Sequence, residues 1–252
     1  MLSQQERLTF LAGGLAALRD HDAPAWTQLG LARPKPAVYA ELSAAVREML
    51  AGDRITDFFF MHKPPGLRVR FAAGPGLESW ARTEVNRLAR RWQDRGLIDG
   101  IRPGVYEPEA FLFGGPAAMA HVHRLFTVDS VAWLDHHVRP ELPAWLVSMR
   151  LLRSVFGGLG LCCQAWPRVR DAGGRRLALS DDAVAVACAE LRGVWETTRS
   201  PVEPAARSWR VAIERAGVDP AEVAAYYVVF HWNRARLSPA RQALITAALA
   251  GG

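Results

Sequence analysis

The stretch Phe58–Phe71, FFFMHKPPGLRVRF, constrains the fold more than any other part of the chain. Three consecutive phenylalanines favour a pleated, half-buried surface. Pro64-Pro65-Gly66 then breaks any helix and supplies turn chemistry. After the turn, Leu67-Arg68-Val69-Arg70-Phe71 alternates apolar and cationic residues with a period of two. The segment reads as strand, tight turn, strand, with Arg68 and Arg70 on one face and Leu67, Val69 and Phe71 on the other. Two guanidiniums about 7 Å apart along one strand repel each other unless an anion meets them. Spacing alone leaves two readings: a solvated outer face, or a fixed double-arginine clamp for a carboxylate or oxyanion.

Around this unit the chain alternates helix and breaker. Ser3, with Glu6 three residues on, opens a predicted helix to about Arg19. Pro24 and Arg33-Pro34-Lys35-Pro36 bracket a short segment containing Trp26 and Leu29. Ala37–Leu50 carries Val38, Leu42, Val46 and Met49 at helical spacing. Leu77–Arg95 is a basic amphipathic helix with Trp80, Val85, Leu88 and Trp92 as its apolar side. Ile98–Tyr106 reads as a strand interrupted by Pro103-Gly104. A helix is predicted from Pro116 to Phe126, and Asp129-Ser130 as the cap of another from Val131 to His137. Further helices are predicted over Pro143–Phe156, from Ser180 to about Trp195, over Pro201–Ala216 and Pro220–His231, and from Ser238-Pro239 onward, with a polar loop at Arg168–Arg176. Strands in the first half and helices in the second predict an α+β fold. It is expected to be one compact domain over 1–252, with a small mixed or antiparallel sheet packed by helices and a helical C-terminal half.

A chain of 252 residues that is 50% hydrophobic and 22% charged can bury a sizeable core. Cys162, Cys163 and Cys188 form no disulfide framework or zinc knuckle, so a reducing cytoplasm is expected. No signal peptide is evident, and no apolar run reaches bilayer length, so no membrane partner is expected. The net charge is +6, yet only Lys35 and Lys63 are lysines. Arginine, alanine and glycine usage of this kind is that of a GC-rich genome. The basic balance favours anionic partners, but no nucleic-acid module appears and direct nucleic-acid binding is not expected.

His121 and His123 are two apart, and so are too divergent on a helix to share a metal. No HExxH or Cys/His ligand spacing is present, and no metal or cofactor is predicted. His231 follows Tyr226-Tyr227-Val228-Val229-Phe230, an apolar run that makes its imidazole tunable as an acid or base. The bland alternative is a buried histidine bonded to a backbone carbonyl.

Taken together, the FFFMHKPPGLRVRF segment, YEPEAFLFGG, Leu125-Phe126-x-x-Asp129-Ser130 and His231-x-Asn233-Arg234 resemble, in that order, the elimination domain of lanthipeptide dehydratases. That domain also occurs alone as the thiopeptide-type bacteriocin biosynthesis domain. The resemblance runs from Trp26 to Arg234. It implies a lyase acting on a ribosomally made precursor peptide whose Ser or Thr hydroxyls a separate tRNA-dependent enzyme has glutamylated. Expelling glutamate leaves dehydroalanine or dehydrobutyrine. On this resemblance His231 is the expected base, Arg68 and Arg70 the catalytic clamp, and Tyr106, Glu109, Asn233 and Arg234 the substrate-binding set. A second branch of the same fold joins two dehydroalanines in a formal [4+2] cycloaddition to a pyridine, with release of the leader. Leu112 stands where dehydratases usually carry an arginine, which moves weight toward that branch. A third expectation, from a different class, is a non-catalytic subunit that binds the precursor peptide along a sheet edge.

Overall fold

The computed structural model describes residues 26–161 and 202–250, with isolated positions 166, 167, 182, 185 and 186 between them. The predicted N-terminal helix, the Arg168–Arg176 loop and most of the helix predicted from Ser180 lie outside the described residues.

Four strands, β1 (Trp26–Ala32), β2 (Ile55–Lys63), β3 (Gly66–Ala73) and β4 (Gly100–Gly104), form an antiparallel sheet. Their order is β2-β3-β1-β4. The predicted hairpin is β2–β3, and it closes tightly: a Cβ at Gly66 would collide with the Leu31 carbonyl and the Arg33 amide. Period-two alternation does set the faces. Leu29, Leu31, Phe58, Phe60, Leu67, Val69 and Phe71 are buried in the core cluster. Arg68 and Arg70 share the other face, where Met61 and Gly30 lie opposite Arg68, and Phe59 and Gln28 opposite Arg70.

β1 is a strand where the sequence marks only a bracketed segment. Gly30 interrupts its apolar pattern, so pairing to β3 on one side and β4 on the other, rather than local propensity, defines it. β4 carries Pro103 on the sheet's edge, where a missing N–H is tolerated.

The described helices are α1 (Ala37–Ala51), α2 (Glu78–Asp94), α3 (Pro116–Val138), α4 (Ala144–Leu159), α5 (Val202–Arg215), α6 (Pro220–Ala235) and α7 (Pro239–Ala250). α1 buries the predicted Val38, Leu42, Val46 and Met49. α2 departs from expectation at one position. Its buried stripe is Ala81, Val85, Leu88, Ala89 and Trp92, while Trp80 is 37% exposed beneath the Arg54 guanidinium.

α3 is a single helix where two were predicted. Asp129 and Ser130 sit in its middle, fully buried, and do not cap anything. Tertiary contacts override their turn preference. Ser130 Oγ accepts from the Phe60 amide at 3.4 Å, and Thr127 Oγ1 accepts from the Phe58 amide at 3.0 Å. α3 therefore lies along β2 and satisfies the donors that an edge strand leaves open.

Candidate functional site

β3 turns Arg68 and Arg70 toward the segment that follows β4. Arg70 is nearly enclosed, at 5% exposure. Its Nε donates to Gln28 Oε1 at 2.6 Å and its Nη1 to Met61 Sδ at 3.4 Å. Its Cζ lies 4.7 Å from the Phe59 ring centre and 4.8 Å from that of Tyr106, so the guanidinium is sandwiched between two aromatic faces. Burial pulls its pKa down to about 10, with Arg68 and Arg234 adding to this and Tyr106 and Glu109 opposing it. Arg68 is half-buried and makes no hydrogen bond or ion pair among the described residues. Arg70 is therefore no solvated surface cation: its Nε and Nη1 are held, no described residue bonds Nη2, and Arg68 lies beside it.

The chain after β4 forms the rim. Gln28 Nε2 donates to the Val105 carbonyl at 3.0 Å, and Gly104 leaves the room that the Gln28 side chain occupies. Tyr106 is hydrogen-bonded through its hydroxyl to His123 Nε2 at 2.8 Å. Burial pushes the Tyr106 hydroxyl well up and pulls His123 down to about 4, so both are neutral at pH 7. Glu109 is half-buried, and its charge reaches both Arg70 and Tyr106. A 3-10 turn, Ala110–Leu112, follows; Leu112 is half-buried, while Phe111 and Val105 are each 82% exposed.

His231 lies elsewhere. It is fully buried on α6. Its Nδ1 is 2.9 and 3.1 Å from the two Asp129 carboxylate oxygens and therefore carries the proton. Trp133 Nε1, 3.4 Å from the same nitrogen, is then a neighbour rather than a donor. Nε2 accepts from the Ser148 hydroxyl at 3.0 Å. The order Ser148–His231–Asp129 is that of a hydrolase triad, but all three residues have 0% exposure. His231 is buried, and its partners are side chains from α3 and α4 rather than a backbone carbonyl.

Arg234 belongs to the same enclosed network. Its Nε donates to Asp129 Oδ2 at 2.8 Å, and its guanidinium covers the Phe126 ring at 4.7 Å. Nη2 is also 2.8 Å from Oδ2, as an ion pair lying off the hydrogen-bond direction; Nη1 has no hydrogen-bond partner among the described residues. Burial pushes the Asp129 carboxyl up, but His231 and Arg234, through electrostatic attraction and hydrogen bonds, outweigh this and hold it at about 2. Asn233 contributes its carbonyl to His62 Nδ1 at 2.9 Å, and the Arg234 carbonyl meets His137 Nε2 at 2.9 Å.

The structure thus brings Arg68, Arg70, Tyr106 and Glu109 together and sets His231 and Arg234 behind them. Phe126, stacked on Phe230 at 5.3 Å and packed on Phe59 at 5.1 Å, stands between the two groups. On α6, Tyr226, Val229, Phe230 and Asn233 make a half-buried stripe, whereas Tyr227, His231 and Arg234 make the buried one. Sequence reasoning missed Gln28, His123, Asp129 and Ser148 as partners. His123 was half-visible: residues two apart diverge on a helix, and His123 turns inward while His121 meets Ser208.

Two surface clefts, of 720 and 780 Å3, flank α1 instead. They mix acidic and basic side chains such as Glu41, Arg91, Arg47 and Asp135, with no directed donor set, so size there does not coincide with chemistry. Among the described residues no group of three or more His, Cys, Asp or Glu could hold a metal ion. No helix among them is long and apolar enough to cross a membrane.

Comparison with curated proteins gives no match. Among solved structures, the tRNA dependent lantibiotic dehydratase MibB from Microbispora sp. 107891 is similar in fold, with a TM-score of 0.66 and 18% identity. The match covers 91% of this chain and 28% of that one, so the chain spans under a third of the length of MibB. Residues 29–251 match the family described as lantibiotic biosynthesis dehydratase C-term. With nearly all of its sheet and helices inside that match, the chain belongs to the lantibiotic biosynthesis dehydratase C-terminal family.

Proposed function

We propose that this protein is a lyase of peptide biosynthesis that eliminates glutamate from glutamylated Ser or Thr of a ribosomally made precursor peptide. Membership of a lantibiotic dehydratase family supports action on such peptides. The observation that carries the finer reading is the paired guanidiniums of β3, one caged with Nη2 left over and one without a partner among the described residues. In the reaction the Cα–H electrons become the Cα=Cβ bond, the Cβ–O bond breaks, and glutamate leaves as a carboxylate. Preorganised cations aimed at that carboxylate stabilise charge as it develops. Arg70 and Arg68 supply them. Glu109 is the carboxylate on this face able to meet the substrate ammonium or take the Cα proton. His231, Asn233 and Arg234 serve by holding α6 in place. Exposed Val105 and Phe111 give the rim apolar surface for peptide side chains. The glutamyl group would come from a separate tRNA-dependent enzyme.

A second reading rests on Leu112. An apolar, half-buried side chain at that place in the rim suits the cyclising branch, whose substrate carries dehydroalanines and no glutamate. Mass spectrometry separates the two. Incubated with this protein alone, a glutamylated peptide loses glutamate on the first reading. On the second it is unchanged, and a dehydrated peptide instead gains a pyridine macrocycle and sheds its leader. Binding without change to either substrate leaves a peptide-binding subunit.

A further inference from the structure

We infer that His123 is a positioning residue of the arginine face: through Tyr106, and together with Gln28, it locks Arg70 into one orientation that leaves Nη2 open to a ligand. The inference rests on the arginine face being the substrate surface.

The cage has parts from every element around Arg70. Gln28 on β1 holds Nε, and Met61 on β2 holds Nη1. Phe59 and Tyr106 close the two flat sides. Tyr106 lies outside the strands, in the chain after β4, and needs an anchor to stay over Arg70. It has two. Gln28 ties down the preceding residue through the Val105 carbonyl. His123 holds the hydroxyl at 2.8 Å from the body of α3. His123 itself is 5% exposed and packed by Trp26, with ring centres 4.6 Å apart. Its carbonyl also accepts from Thr127 Oγ1, the group that seals β2, so one helix turn serves both tasks. Because burial keeps the imidazole neutral, the anchor adds no second charge beside the guanidinium.

A guanidinium free at both ends grips a carboxylate with a two-pronged fork. One whose Nε is already held by Gln28 loses the side-on fork made by Nε and Nη2. Arg70 therefore meets a carboxylate through its Nη groups, from a set direction, and Arg68 beside it completes the contact. Lysine at position 70 would keep the charge but lack the planar guanidinium that fits between the two rings and bonds Gln28 and Met61 together.

The test has a ligand-free arm and a ligand arm, both on the full chain. In 15N NMR of arginine-labelled protein, the Arg70 guanidinium, assigned by its loss in Arg70→Lys, should show separate Nη signals from arrested rotation. His123→Gln, which can still bond the Tyr106 hydroxyl, should keep them. His123→Leu and Tyr106→Phe should merge them. If His123→Leu does not fold, Tyr106→Phe decides, since it keeps the ring and loses only the tether. Unmerged signals in Tyr106→Phe overturn the inference. In calorimetric titration with a glutamylated peptide, Tyr106→Phe should bind about tenfold more weakly than wild type, and His123→Gln close to wild type. Equal binding by Tyr106→Phe and wild type also overturns it. Undiminished binding by Arg68→Ala and Arg70→Lys would instead overturn the reading of the face as the substrate surface, with the NMR arm still deciding the cage.

Discussion

Asp129 shows how much one side chain can carry. It joins α3 to α6 by accepting from His231 Nδ1 and Arg234 Nε, all at 0% exposure. Removing its charge leaves a buried guanidinium uncompensated. Asp129→Asn is expected to lower stability by about 3–5 kcal/mol, read as a shift in the urea midpoint. Acid should act in two adjoining windows. Burial holds His62 and His123 at about 4 in the folded protein, while an unfolded histidine titrates near 6.5. Between those values the unfolded chain binds more protons, so stability is full above about 6.5 and declines as pH falls toward 4. Asp129, held at about 2, adds stability that is present above about 4 and is lost as pH falls toward 2. Thermal melts across the range should decline in both windows, and His62→Gln with His123→Gln should flatten the first. None of this was visible in Asp129-Ser130 read locally. An acidic residue followed by serine looks like a helix cap, and its true partners lie about a hundred positions away in sequence.

At the scale of elements, the hairpin and the amphipathic helices were legible because their periodicity is local. The Arg68/Arg70 face followed from alternation alone and survives in the structure. β1 was not legible: Gly30 weakens it, and its existence depends on strands pairing from either side. The α3–β2 contact depends equally on distant residues. Its key bond runs from the Phe58 amide to Thr127 Oγ1 at 3.0 Å, while the one proton of that hydroxyl goes to the His123 carbonyl at 2.9 Å. Replacing Thr127 by valine keeps the shape and orphans a buried amide, at a cost of about 1–3 kcal/mol. Hydrogen exchange at the Phe58 amide should accelerate in that variant, while amides of the β1–β3 ladder stay protected.

Across the whole molecule, one continuous core runs from α1 and α2, through the sheet, into α3–α7. The α+β class and the helical second half were readable from where strands and helices fall along the chain. The division of the candidate site into an arginine face and an enclosed histidine network was not, because it depends on which stripe of α6 turns inward. The net charge of +6 gives the long-range expectation. If the arginine face captures an anionic peptide, raising salt from about 0.1 to about 1 M shrinks the screening length from about 10 to about 3 Å. Association should slow accordingly in stopped-flow measurements, and Arg68→Ala should show a shallower salt dependence than wild type.

The aromatic wall of Phe59, Phe126 and Phe230 has a consequence for how such a protein can diverge. It insulates the residues that hold the helices together from those of the proposed ligand face. Substitutions in front of it, Leu112 among them, can retool specificity without touching the fastening behind it. A lineage can therefore explore new reactions on this scaffold at small risk to foldability, whereas a change at Asp129 would close that exploration before any new chemistry was tried.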